Sequence, residues 1–210
     1  MYIGTQVAPR NQSDLEVWSQ LGVNNICTDP FTEDSRGNYL SINPHKWTVE
    51  ILERHIEKLE NYGLTLDMVQ IPLSSRPLSE SQSPNIMLGK SPERDKEIDS
   101  ILNILSMCSK VGIPCVKYNM NIIGIPRSIS EKGRGGSTNS TFRWDKIDQG
   151  EKPGIAGVLD PDTNWERIDY FLNKVVPVAE ELKVRLACHP HDPYTPNGYK
   201  GVNRVLGTVD

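Results

Sequence analysis

Hydrophobic positions along this chain alternate between two periods. Short apolar runs of strand length fall at Tyr2–Val7, Val23–Cys27, Leu64–Val69, Ile113–Tyr118 and Val184–His189. Between them lie longer segments whose apolar residues recur every three or four positions, the helical signature. The clearest predicted helix is Pro92–Val111. Ser91 is placed to cap it, and Pro92 suits the first helical position, where a missing N–H costs nothing. Ile98, Ile101, Leu102, Leu105 and Cys108 form one stripe, and Gly112 stops it. Thr48–Tyr62 repeats the plan, with Thr48 as cap, Leu52, Ile56 and Leu59 as stripe and Gly63 as stop. Ser13–Leu21 before Gly22 is a shorter version. Asn164–Leu182 sets Trp165, Ile168, Leu172, Val175 and Ala179 on one side, and Pro177 inside it predicts a kink or a split.

Strict alternation of strand and helix implies parallel strands joined by right-handed crossovers. Two architectures compete for that order, an open doubly wound sheet and a barrel. No Gly-x-Gly-x-x-Gly follows the first strand, where a dinucleotide-binding open sheet carries it. Loops after the strands are long and polar, whereas those before them are short and built on Gly22, Gly63 and Gly112. That asymmetry suits a parallel (β/α)8 TIM barrel of the α/β class with its site on the C-terminal face. Such a barrel needs eight strands and typically about 250 residues. The 210 residues hold five strand-like runs. The expectation is therefore a single barrel domain over residues 1–210, comprising the first five or so βα units and cut short at Gly207-Thr-Val-Asp210.

Composition narrows the function classes. With 37% hydrophobic and 24% charged residues and a net charge of −4, the chain is an ordinary globular protein. It lacks the clustered Lys and Arg of a nucleic-acid or anionic-membrane surface. No apolar run approaches the roughly 18–20 residues of a membrane span, and Met1-Tyr-Ile-Gly-Thr-Gln6 is not a signal peptide. Cys27, Cys108, Cys115 and Cys188 show no CxxC spacing and sit in or beside apolar runs. They read as reduced core residues of a cytoplasmic protein.

Strand ends of a barrel present polar groups to the ligand. Here these are Gln6, Asp29, Gln70, Lys117-Tyr118-Asn119 and His189-Pro-His191-Asp192. The plainer reading of each is a strand end meeting water, and it carries most weight for Gln6 and Asp29. Lys117 and Asn119 should share one face of their strand and Tyr118 the other; all three are candidate substrate-binding residues. Asn121–Asp162 has no periodicity, so residues 120–162 are expected to be a long loop or lid. Its Arg127, Arg134 and Arg143 suit an anionic small molecule, because guanidinium grips a carboxylate at two points. Phe142 and Trp144 would help exclude water; the duller alternative is a disordered insertion. Lys132-Gly-Arg-Gly-Gly136 lacks the Gly-Lys-Ser/Thr of a phosphate loop. His189 and His191 flank Pro190, and neutral imidazole is a common metal ligand, although a structural histidine is the commoner outcome. His45, in a polar loop, and His55, in a charged helix stretch, read as bystanders.

Four stretches in order resemble the mannonate dehydratase family of the xylose-isomerase-like barrels. They are Gly22-Val-Asn-Asn-Ile-Cys27, Gly63-Leu-Thr-Leu-Asp67, Gly112-Ile-Pro-Cys-Val-Lys-Tyr-Asn119 and Leu186-Ala-Cys-His-Pro-His-Asp-Pro193. The resemblance implies a divalent metal, Mn2+ or Fe2+. It also implies dehydration of D-mannonate to 2-dehydro-3-deoxy-D-gluconate in hexuronate breakdown. It makes His189 the first metal ligand, with the others on strands beyond residue 210. This chain departs from the family's His-Pro-Asp-Asp-Pro by placing His191 third, and Met120-Asn-Ile-Ile-Gly-Ile-Pro126 also differs. The roles then expected are His189 on the metal, His191 as proton carrier, and Arg127 or Arg134 on the substrate carboxylate. The expected partners are a small sugar acid and a second copy of the chain in a homo-oligomer. Two rival readings are a metal-dependent sugar isomerase or epimerase of the same superfamily and an inactive fragment.

Overall fold

The computed structural model describes residues 2–207. Met1 and Thr208–Asp210, on which the expectation of an interrupted barrel partly rests, lie outside the described residues. Strand β1 (Gly4–Thr5) precedes helix α1 (Gln12–Gln20), capped by Asn11, whose side chain accepts from the Asp14 amide. β2 (Asn25–Cys27) leads into a hairpin of β3 (Phe31–Glu33) and β4 (Tyr39–Ser41). α2 (Val49–Glu60) starts where Thr48 accepts from the Ile51 amide, as its sequence predicts. β5 (Thr65–Gln70), the short α3 (Pro84–Leu88), α4 (Glu93–Val111) and β6 (Cys115–Asn119) follow. A second hairpin, β7 (Ser130–Lys132) with β8 (Thr138–Ser140), precedes α5 (Pro161–Glu181) and β9 (Arg185–His189). Gly63 and Gly112 end α2 and α4 at φ of 70° and 80°, a conformation only glycine adopts cheaply.

The principal sheet has the order β1-β2-β5-β6-β9, and its first three pairings are parallel. Strand order therefore follows chain order without reversal. A doubly wound sheet reverses direction at its switch point, whereas a barrel progresses one way round. The order decides between the two expected architectures in favour of the barrel.

Contacts divide the chain into two compact units. The first comprises Met1–Pro72, Ile98–Tyr118 and Asn173–Ala187; the second comprises Leu73–Glu97, Asn119–Leu172 and Cys188–Asp210. Leu15, Ile26, Leu52, Leu59, Val69, Leu105 and Val116 are buried in the first. Leu78, Ile86, Ile122, Leu159, Phe171 and Val202 are buried in the second.

Several local expectations need correction. α4 starts at Glu93, with Ser91 and Pro92 in the preceding turn, and Ile104 rather than Leu102 completes its buried stripe. α5 runs unbroken through Pro177. Asn173 and Pro177 are both exposed, so water can serve the carbonyl that proline leaves without a donor. Trp165 is 42% exposed, and Phe171 takes the buried position. The stretch 120–162 carries the β7–β8 hairpin, in which Arg143 reaches Glu131 from Nε at 2.8 Å. Cys108 and Cys115 are buried as expected, but Cys188 is exposed. His55 is no bystander. It is 4% exposed and shares a stripe with Leu52 and Leu59, and its Nε2 lies 3.3 Å from the Thr28 carbonyl. Burial holds its imidazole neutral, down to about 4.

Candidate functional site

In the first unit the ends of β1, β2, β5 and β6 surround a cleft of about 240 Å³. Gln6, Cys27, Thr28, Asp29, Gln70 and Lys117 line it from the strands, and Phe31, Tyr39 and Ser41 from the β3–β4 hairpin. Register explains the convergence. Gln70 and Lys117 are direct partners across β5 and β6, so their side chains share one side of the sheet. Between Ile26 and Cys27 the pairing with β5 slips by one residue, from Leu66 to Met68. Such a bulge re-aims the strand end that follows it. Asp29 then turns back to β5, where its Oδ1 accepts from the Gln70 amide at 2.8 Å. Lys117 Nζ donates to Gln6 Oε1 at 3.2 Å.

The charges here are unequal in setting. Burial pushes the Asp29 carboxyl up to about 6, with the Gln70 N–H and the Lys117 charge pulling the other way. The Tyr39 hydroxyl is buried with no hydrogen-bond partner among the described residues. An unpaired buried hydroxyl beside a cleft is costly and calls for an explanation.

The second unit holds the His189-to-Pro193 turn. His189 Nδ1 lies 2.7 Å from the Pro190 carbonyl, which can only accept, so Nδ1 is the donor of that contact. That is the arrangement in which a backbone carbonyl orients a metal-binding imidazole. His191 is different, and its expected proton-carrier role needs correction. It is 7% exposed, its Nε2 reaches the Met120 carbonyl at 3.0 Å, and its Nδ1 accepts from the Leu206 amide at 3.2 Å. With both ring nitrogens on backbone, His191 is a strut between two loops; burial also pushes its pKa below the ordinary imidazole value.

Arg204, which sequence reasoning missed, braces the same turn. Its guanidinium donates to the carbonyls of Pro193 and Gly124 and, at 3.0 Å, to Asn121 Oδ1. Burial pulls it down to about 10, so it stays charged at neutral pH. No local pattern in Val202-Asn-Arg-Val205 announces this; the signal lies in backbone carbonyls that only the fold brings together.

The other sequence candidates scatter. Arg127 pairs with Asp192 at 2.9 Å, both about two-fifths exposed. Arg134 is exposed in the turn of the β7–β8 hairpin. Asn119 and Tyr118 are each 5% exposed, Tyr118 within the first unit and Asn119 within the second. Of the substrate candidates, Lys117 alone lines the cleft, together with Gln6, Asp29 and Gln70. Among the described residues no three of His, Cys, Asp and Glu come together as a metal cluster. His189 fits a metal as one ligand, and the described residues supply no complete set.

The D-mannonate dehydratase (UxuA) family profile matches residues 154–210. Mannonate dehydratase 2 of Halalkalibacterium halodurans is 30% identical over 184 residues, covering 76% of this chain and 50% of that protein. A mannonate dehydratase of Thermotoga neapolitana is 26% identical over 192 residues, again 76% of this chain and 50% of the relative. The chain thus spans about half the length of the curated relatives it matches. The crystal structure of mannonate dehydratase from Streptococcus suis serotype2 has the same fold. The two align with a TM-score of 0.75 at 24% identity, over 98% of this chain and 56% of that one. No helix among the described residues is long and apolar enough to cross a membrane. In strand order and in sequence along most of its length, this chain is similar to about half of a mannonate dehydratase.

Proposed function

We propose that the protein is a metal-dependent sugar-acid dehydratase, converting D-mannonate to 2-dehydro-3-deoxy-D-gluconate and water in hexuronate breakdown. Beyond the similarity to mannonate dehydratases, one observation carries this reading: the Nδ1 contact of His189 with the Pro190 carbonyl, which would leave Nε2 as a directed ligand. Bound there, Mn2+ or Fe2+ would supply the positive charge that an enediolate beside a carboxylate needs. His191 and Arg204 hold the loop that carries His189. Arg127, which pairs with Asp192 of that turn at 2.9 Å, is the guanidinium for the substrate carboxylate, in exchange for Asp192. The protein works on a small molecule in the cytoplasm, as a homo-oligomer.

The test is to incubate the full-length protein with Mn2+ and D-mannonate and assay for a 2-keto-3-deoxy acid. Product should form, and His189→Ala should lower the rate by at least about a hundredfold, the scale of losing a metal ligand. Interconversion of a neutral ketose without any keto-deoxy acid would replace this reading with a sugar isomerase or epimerase.

A further inference from the structure

A second cavity of the first unit, about 220 Å³, lies between the β3–β4 hairpin and α2. Of its lining, only Phe31 is shared with the cleft at the strand ends. Ile51, Arg54, His55 and Lys58 face it from α2, and their spacing puts all four on one side of that helix. Phe31 and Ile42 close it from the hairpin side. The Trp47 indole N–H pins that wall by donating to the Ile42 carbonyl at 2.9 Å. The His55 ring stands at a right angle to the Phe31 ring, centroids 5.0 Å apart, and burial keeps it uncharged at neutral pH. The charge of the cavity therefore comes from Arg54 and Lys58, both positive.

Both cations keep capacity for a ligand. Lys58 Nζ sits 4.3 Å from the centre of the Tyr39 ring, and its acidic partner Glu33 is 3.5 Å away, with both side chains in reach of water. A pair so placed contributes little and opens readily. Arg54 is exposed and holds no hydrogen bond among the described residues; Glu50, one turn back, senses it through space. Behind the two cations the walls are apolar. A phosphate would bring its two charges against Glu33 and Glu50 and leave those walls uncovered. A neutral apolar molecule would gain nothing from the guanidinium. A single carboxylate on a compact apolar body answers both halves: guanidinium grips it at two points, and the body covers the ring and the methyls. The volume falls below the roughly 300–1,000 Å³ of sites for drug-sized ligands, so the body is about the size of one ring.

We propose that this cavity binds a small monocarboxylate with an apolar body, with Arg54 and Lys58 on the carboxylate and Phe31, Ile42 and Ile51 around the body. The site does not depend on the dehydratase reading, since it shares no residue with the His189-to-Pro193 turn. Phe31 also stacks on Tyr39 at 4.1 Å, and both rings line the strand-end cleft, so an occupant here bears on the hairpin wall of that cleft.

The test titrates sodium benzoate calorimetrically into the full-length protein. Inorganic phosphate serves as the anion without the ring, and benzamide as the ring without the charge. Wild type should bind benzoate at least about fivefold more tightly than either. Arg54→Gln, at an exposed position where folding is not at stake, should weaken benzoate about fivefold, and Lys58→Gln about two- to threefold. His189→Ala should leave benzoate binding unchanged. Absence of benzoate binding overturns the proposal, as does phosphate or benzamide binding as tight as benzoate. Benzoate binding that neither Arg54→Gln nor Lys58→Gln alters overturns it too. So does binding that is lost in His189→Ala and kept in Arg54→Gln, which would put the carboxylate at the His189 turn. Binding needs no turnover. A failed keto-acid assay with Arg54-dependent benzoate binding would sink the dehydratase reading and leave this site standing. Product formation with benzoate binding indifferent to both α2 variants would do the reverse.

Discussion

The two polar regions of this molecule use similar residues to opposite ends. In the His189-to-Pro193 turn, His191 spends both ring nitrogens on backbone groups, and Arg204 donates to two backbone carbonyls and one side chain. In the cleft at the ends of β1, β2, β5 and β6, Lys117 meets the Gln6 side chain and the Tyr39 hydroxyl meets no partner among the described residues. A polar side chain that is saturated by backbone fixes the shape of a loop. One that keeps unused capacity beside open space can meet a ligand. Partner type separates the two roles better than residue type does, since a histidine and an arginine are the residues that here act as struts.

The comparison can be broken in several ways. The largest effect is expected from Arg204→Met, which leaves buried carbonyls of Pro193 and Gly124 without donors. It should cost about 3 kcal/mol in urea unfolding, since hydrogen bonds to a charged group are the stronger kind. His191→Ala should follow at about 2 kcal/mol. A His191→Ala protein that unfolds like wild type but has lost turnover would return His191 to a catalytic role.

Next comes the pH response around Thr28. The folded value of His55, about 4, lies below its ordinary 6.5, so stability falls as pH drops between them. The folded value of Asp29, about 6, lies above its ordinary 3.8, so stability rises as pH drops between them. The two slopes oppose one another from pH 6 toward 4. Asp29→Asn should expose the His55 slope, roughly 1 kcal/mol lost per pH unit, and His55→Gln should expose the opposite one. Identical unfolding profiles for the two variants across that window would refute the burial of one or the other. Arg127→Met should have the smallest effect, under about 0.5 kcal/mol, because the Arg127–Asp192 pair is well exposed and screened by salt.

The architecture was legible because burial imposes a period. Leu52 and Leu59, or Ile98, Ile101, Leu105 and Cys108, can share one face only on a helix, and the glycines after α2 and α4 mark where the chain must turn left-handed. The two hairpins were not legible. β3–β4 and β7–β8 pair strands of three residues, too short to show a period, and β7–β8 has no apolar residue at all. Gln6, Asp29, Gln70 and Lys117, all strand ends in the sequence, line one cleft. The depth of Asp29 and the company it keeps depend on pairing register, which no single strand records. His55 and His191 were misjudged for one reason: their partners are the Thr28 and Met120 carbonyls, and every residue has a carbonyl.

Asp67 is the supernumerary residue of β5, skipped between the partners of Ile26 and Cys27. It lets Leu66 and Val69, three residues apart, both be buried. Deleting it would set those two at the ordinary same-face spacing and leave every pairing with β2 and β6 in place. The extra residue therefore governs where the strand bends, while the side chains that face the cleft are chosen by the pairing on either side of it.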